Sequence, residues 1–78
     1  MAQIDFENIK KINKEKNHIH DKVSVSYSIF NDKGNKYVQI DTYGKIGREF
    51  PGKISQSFQI DKECALFLIN LLKKEFEL

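Results

Sequence analysis

The chain has 78 residues and a net charge of +2, with 40% hydrophobic and 12% aromatic residues. This length predicts one domain with a small core, and the apolar content excludes a disordered chain. The charge permits a polyanionic partner but is well below that of a strong duplex binder. The longest apolar run, 65–69, is too short for a membrane span, and the N-terminus lacks a signal-peptide layout. With a single cysteine, which cannot form an internal disulfide, this predicts a cytoplasmic protein.

The basic N-terminal segment, residues 1–20, permits two predictions. Phe6, Ile9 and Ile12 recur at a spacing of three behind Asp5, a possible N-cap, which favours a short helix within Ile4 to Lys16. The same stretch could equally be an irregular strand at a sheet edge.

Three alternating segments predict an antiparallel sheet over residues 23–60. The first runs from Val23 to Phe30, and a turn at Asn31 to Asn35 joins it to the second, Tyr37 to Tyr43. A loop from Gly44 to Gly52 leads to the third strand, Ile54 to Ile60.

A C-terminal helix is predicted over residues 61–76, with Asp61 as its N-cap. The expected fold is therefore a single α+β domain of residues 1–78. It has a small antiparallel sheet of three to four hairpin-connected strands and a helix packed on one face.

The predicted helix carries two apolar stripes. The first should pack on the sheet and comprises Ala65, Leu68, Ile69, Leu72 and Phe76. The second, Cys64, Phe67 and Leu71, lies on a different side and needs another cover. A second copy of the chain is the favoured cover, which makes these three residues the predicted interface of a homodimer. In the alternative, the N-terminal segment folds over them.

The outward positions of the predicted sheet are rich in hydroxyl, amide and phenol groups. All five serines fall there, and basic residues lie at the margins and in the loop. Such groups can bond phosphates or base edges, and tyrosines can stack on bases. The candidate nucleic-acid-binding residues are Tyr37, Gln39, Tyr43, Lys45, Arg48, Lys53, Ser55 and Ser57.

The order of elements carries a family resemblance. The chain contains the strands VSVSYSIF, YVQIDTY and ISQSFQI, then PGK at residues 51–53 before the third strand and a helix after it. This order resembles a single-stranded-DNA-binding domain, that of transcriptional coactivators of the positive-coactivator-four type and their small bacterial relatives. The resemblance spans Val23 to Phe76. It implies a dimer formed largely through the helices, with Tyr43, Arg48 and Lys53 as DNA contacts. The string from Asp41 to Gln59 is also similar to segments of small uncharacterised bacterial and phage proteins.

Catalytic and metal chemistry find little support in the sequence. His18, His20 and Asp21 lie close together, but no further ligand has a recognisable spacing. Cys64 sits in an apolar helix without a positioned base. We therefore predict a non-enzymatic binding module without metal or cofactor, with single-stranded nucleic acid as the favoured ligand. The alternative is a protein–protein interaction module, such as a small regulator or inhibitor, that docks by the same face.

Overall fold

A computed structural model of the protein describes residues 1–44 and 53–78 and shows a small α+β fold. Its strands are β1 (Ala2–Gln3), β2 (Val25–Asp32), β3 (Asn35–Tyr43) and β4 (Ile54–Ile60), followed by the helix α1 (Lys62–Phe76). The four strands form one open sheet in the order β1-β4-β3-β2. Neighbours among β2, β3 and β4 are antiparallel, whereas β1 runs parallel to β4, so the sheet is mixed. The predicted fold class is confirmed.

The turn between β2 and β3 is tighter than the predicted five-residue loop. Lys33 and Gly34 are its two central residues, and both have positive φ, at 49° and 83°. Two-residue turns of this kind match the right-handed twist of antiparallel strands, so the ladder continues to the pair Asp32–Asn35.

A bulge interrupts the pairing of β3 with β4. Thr42 pairs with Gln56, but Tyr43 pairs with Ile54, which leaves Ser55 as the extra residue on β4. Ile54 therefore lies out of phase with the alternation that follows it, and it is exposed.

The N-terminal segment contains both a short edge strand and a short helical turn, the two elements that the sequence permitted there. Ala2 and Gln3 form an edge strand beside β4, and Ile4 extends it by donating its backbone N–H to Gln59 O at 3.0 Å. Asp5 caps a single 3-10 turn, Phe6–Asn8, and accepts the backbone N–H of Glu7. One such turn is too short to be stable alone, and residues 9–24 adopt no regular structure.

The helix begins and ends at well-defined caps. The Asp61 side chain accepts the backbone N–H of Cys64 at 2.9 Å. Glu77 adopts a left-handed conformation at the C-terminus, and its N–H bonds to Lys73 O. These contacts satisfy backbone groups that a helix end otherwise leaves unpaired.

The core is small and lies under the first turns of the helix. Cys64 is the one fully buried hydrophobic side chain of the described residues. Beside it, the ring of Phe67 meets that of Phe6 edge to face, with centroids 6.2 Å apart. Cys64 and Phe67 of the second helix stripe thus turn inward, while Leu71 is 40% exposed. The N-terminal segment covers part of this stripe, as the alternative prediction stated.

The first helix stripe, expected to pack on the sheet, is the exposed one in its C-terminal half. Ile69 is 53% exposed, Leu72 45% and Phe76 69%. Ala65 and Leu68 of the same stripe are half-buried, so the structure covers the N-terminal half of this stripe and leaves its C-terminal half exposed.

Candidate binding face of the sheet

The strand register separates the sheet into two chemically different faces. The side that we call the polar face carries Gln3, Ser26, Ser28, Phe30, Tyr37, Gln39, Asp41, Tyr43, Ser57 and Gln59. The opposite side, the apolar face, carries Ala2, Val25, Tyr27, Ile29, Val38, Ile40, Thr42, Gln56, Phe58 and Ile60. The predicted alternation is thus present on the central strands.

Asp41 is the centre of the polar face. It is only 8% exposed, and its Oδ1 accepts two hydrogen bonds, from Ser57 Oγ and from Gln39 Nε2, the latter at 3.0 Å. Ser57 is equally buried. A buried carboxylate needs such donors to offset the loss of hydration, so Asp41 holds both neighbours in fixed positions.

The network continues across the strands from Gln39. Its Oε1 accepts a hydrogen bond from Gln59 Nε2 at 2.9 Å. A separate bond of 2.7 Å joins the hydroxyls of Ser26 and Tyr43. Within the described residues, every buried side-chain nitrogen and oxygen atom has a partner. The polar face is therefore a preorganised surface of uncharged groups around one carboxylate.

An aromatic pair lies at the end of this face nearest the β2–β3 turn. Phe30 and Tyr37 are cross-strand neighbours, and their rings stack with centroids 5.3 Å apart and planes 20° apart. Both side chains are half-buried. They place two aromatic rings beside the hydrogen-bonding groups.

The structure brings together several of the predicted nucleic-acid-binding residues. Tyr37, Gln39 and Tyr43 share the polar face along β3. Ser55 is exposed at the bulge, and Lys53 is exposed just before β4. Lys45 and Arg48 lie outside the described residues.

Ser57 departs from its predicted role as an outward contact, since its hydroxyl is buried and donates to Asp41. The prediction also omitted Asp41 and Gln59 from the site. The alternation of each strand had placed them on the polar side, but no sequence pattern indicates that they bond to their neighbours.

The predicted dimer residues differ in how much surface they offer. Cys64 is fully buried within its own chain, so it cannot contribute surface to a contact between copies. Phe67 is half-buried against Phe6, and Leu71 is 40% exposed. On the sheet, Val25 and Ile29 are exposed on the apolar face.

Other chemistry is limited in the described ranges 1–44 and 53–78. No group of three or more His, Cys, Asp and Glu side chains there could hold a metal ion. Burial and the nearby Asp61 carboxylate raise the pKa of the Cys64 thiol, which favours the unreactive protonated form. No helix in these ranges has the length and apolar character needed to cross a bilayer.

No family model matches the chain, and comparisons with curated proteins and with solved structures return no match.

Proposed function

We propose that the protein is a small, non-enzymatic module that binds single-stranded nucleic acid on the polar face. The observation that carries the proposal is the stacked pair of Phe30 and Tyr37 beside a preorganised row of amides and hydroxyls. Aromatic rings on a sheet contribute about 1–3 kcal/mol per stacked base. The amides and hydroxyls supply donors and acceptors for base edges.

The low net charge of the chain favours an unpaired strand over a duplex as the ligand. A duplex hides its bases and is bound mainly through neutralised phosphates, which requires more positive charge than a net +2. A single strand exposes base faces to the aromatic pair. From Tyr37 to Tyr43 the face extends about 20 Å along β3, at about 3.3 Å per residue. That length suits a short segment, at the lower end of the roughly 4–16 nucleotides of single-strand sites.

Titration of labelled 20-nucleotide single strands and duplexes, at low and at physiological salt, tests the proposal. We expect the single strand to bind more tightly, with an affinity that falls as salt rises. Tyr37→Ala should weaken binding about fivefold to a hundredfold, since it removes a stacking ring. Tyr27→Ala is the matched control, because Tyr27 is an exposed tyrosine on the apolar face. Absence of binding at low salt would refute the nucleic-acid proposal and leave protein docking as the alternative.

The proposal includes a homodimer, with a second copy of the chain as the occupant of the exposed apolar surfaces. Residues 1–44 and 53–78 contain one fully buried hydrophobic side chain, and a chain of 78 residues is near the lower size limit for an unaided core. The exposed helix residues Ile69, Leu72 and Phe76 offer each copy an apolar stripe. In a two-fold symmetric dimer, the stripe of each copy would be buried against that of the other.

A cytoplasmic location also belongs to the proposal, supported by the single, buried free thiol.

Light scattering over a concentration series tests the dimer. We expect a mass of twice the 9.1 kDa of one chain. Leu72→Glu should reduce it to that of the monomer, because a carboxylate would enter the apolar contact. Asn70→Glu is the control, since Asn70 is exposed on the same helix and does not lie at the i, i+3 or i+4 spacing from Ile69, Leu72 or Phe76. A monomer mass for the wild-type protein at all concentrations would refute the dimer.

A further inference from the structure

A small cavity, widely open to solvent, lies where the polar face meets the edge strand β1. It measures about 250 Å³ and is lined by Met1, Ala2, Gln3, Gln39, Ser57 and Gln59. Sites for whole drug-sized ligands measure about 300–1,000 Å³, so this cavity suits one planar group of a larger ligand.

Asp41 determines which atoms the network presents to this cavity. A carboxylate offers only acceptors, so Gln39 must turn its Nε2 toward Asp41 and its Oε1 toward Gln59. Gln59 then donates through its Nε2 to Gln39 on β3, while Gln3 and the cavity lie on its other side. This leaves Oε1 as the polar atom of Gln59 available to a ligand there. Within the described residues, nothing donates a hydrogen bond to that oxygen. The network therefore ends in an oriented acceptor at the cavity.

We propose that this cavity is a subsite for one nucleobase and that Gln59 Oε1 selects adenine and cytosine, which carry an amine at purine position 6 or pyrimidine position 4. Adenine and cytosine present an amine donor at the position where guanine and thymine present a carbonyl oxygen. Two oxygens facing each other would both lose hydration without a hydrogen bond. Asp41 is a positioning residue, since it acts through Gln39 and Gln59. The inference rests on the proposed single-strand binding and adds a base preference to it.

Fluorescence anisotropy with labelled 20-nucleotide strands of deoxycytidine and of deoxyuridine tests this preference at low salt. The two bases have similar rings, and they differ in carrying an amine or an oxygen at position 4. We expect the deoxycytidine strand to bind about fivefold more tightly, the size of one net hydrogen bond. Gln59→Met should remove the difference by weakening deoxycytidine binding, while deoxyuridine binding stays within about twofold.

Gln56→Met is the matched control, because Gln56 is an exposed glutamine of the same strand on the apolar face. It should keep the preference. Equal wild-type affinity for the two strands would overturn the base preference and leave the proposed single-strand binding intact. A preference for deoxycytidine that persists in Gln59→Met would have the same two consequences. Failure of both strands to bind would overturn the proposed function and this inference together. Circular dichroism shows whether Gln59→Met folds. If it does not, the ratio of the wild-type affinities for the two strands still tests the base preference.

Discussion

Replacing Asp41 by alanine should strongly destabilise the fold. The change removes the acceptor of Ser57 Oγ and of Gln39 Nε2, and hydrogen bonds to charged groups contribute about 1.5–3 kcal/mol each. Ser57 is 8% exposed and cannot recover its bond from bulk water, whereas the half-buried Gln39 recovers part of its own. We expect a loss of about 3 kcal/mol, a large part of the roughly 4–12 kcal/mol of a domain this size. The melting temperature should fall by roughly 12–24 °C.

Urea unfolding at a fixed protein concentration measures this loss, since association would otherwise shift the midpoint. Ser28→Ala is the control: Ser28 is an exposed serine on the same face, and its loss should change stability by less than about 0.5 kcal/mol. A double-mutant cycle of Asp41→Ala with Ser57→Ala should show a coupling of about 0.5–3 kcal/mol. If Asp41→Ala costs no more than Ser28→Ala, or if the two losses simply add, the buried network does not hold the sheet as described.

Three further predictions concern the turn, the helix cap and the cysteine. Gly34→Ala should lower the free energy of unfolding in urea by about 1–2 kcal/mol, because Gly34 has a φ of 83°. Gly44→Ala is the control and should change it little, and equal losses would contradict the turn geometry. Asp61→Ala should cost about 1 kcal/mol by removing the N-cap, and unchanged stability would argue against that cap. Cys64 should react slowly with iodoacetamide at pH 8 in the folded protein and rapidly in urea, and equal rates would disprove its burial. Because folding raises the pKa of this thiol, its contribution to stability should be complete below the ordinary value of 9.0 and should be lost as the pH rises through the folded-state pKa.

Much of the fold could be predicted because its signals are local. Strand alternation placed β3 within two residues and β4 at its observed bounds, and the N-cap Asp61 located the start of the helix. Each of these signals depends on side-chain periodicity or on a hydrogen bond to a near neighbour in sequence.

The features that could not be predicted depend on contacts between distant parts of the chain. Two residues, Ala2 and Gln3, are too few to show a period, so β1 had no pattern of its own. The ring contact of Phe6 with Phe67 joins the N-terminal segment to the helix over about 60 residues, and the two apolar stripes alone did not predict it. Composition and alternation indicated a polar face, but the bonds of Asp41 to Gln39 and Ser57 follow from the strand register.

The pairing of β1 with β4 has a consequence for the order of folding. The β2–β3 hairpin closes through a two-residue turn, whereas β1 must find its partner across most of the chain, at a greater loss of chain entropy. The edge strand should therefore join last and open first, with its amides exchanging hydrogen sooner than those of β3. Each opening exposes the unpaired edge of β4, which the equivalent strand of another copy can occupy. The N-terminal strand is thus the place where strand exchange between copies should begin.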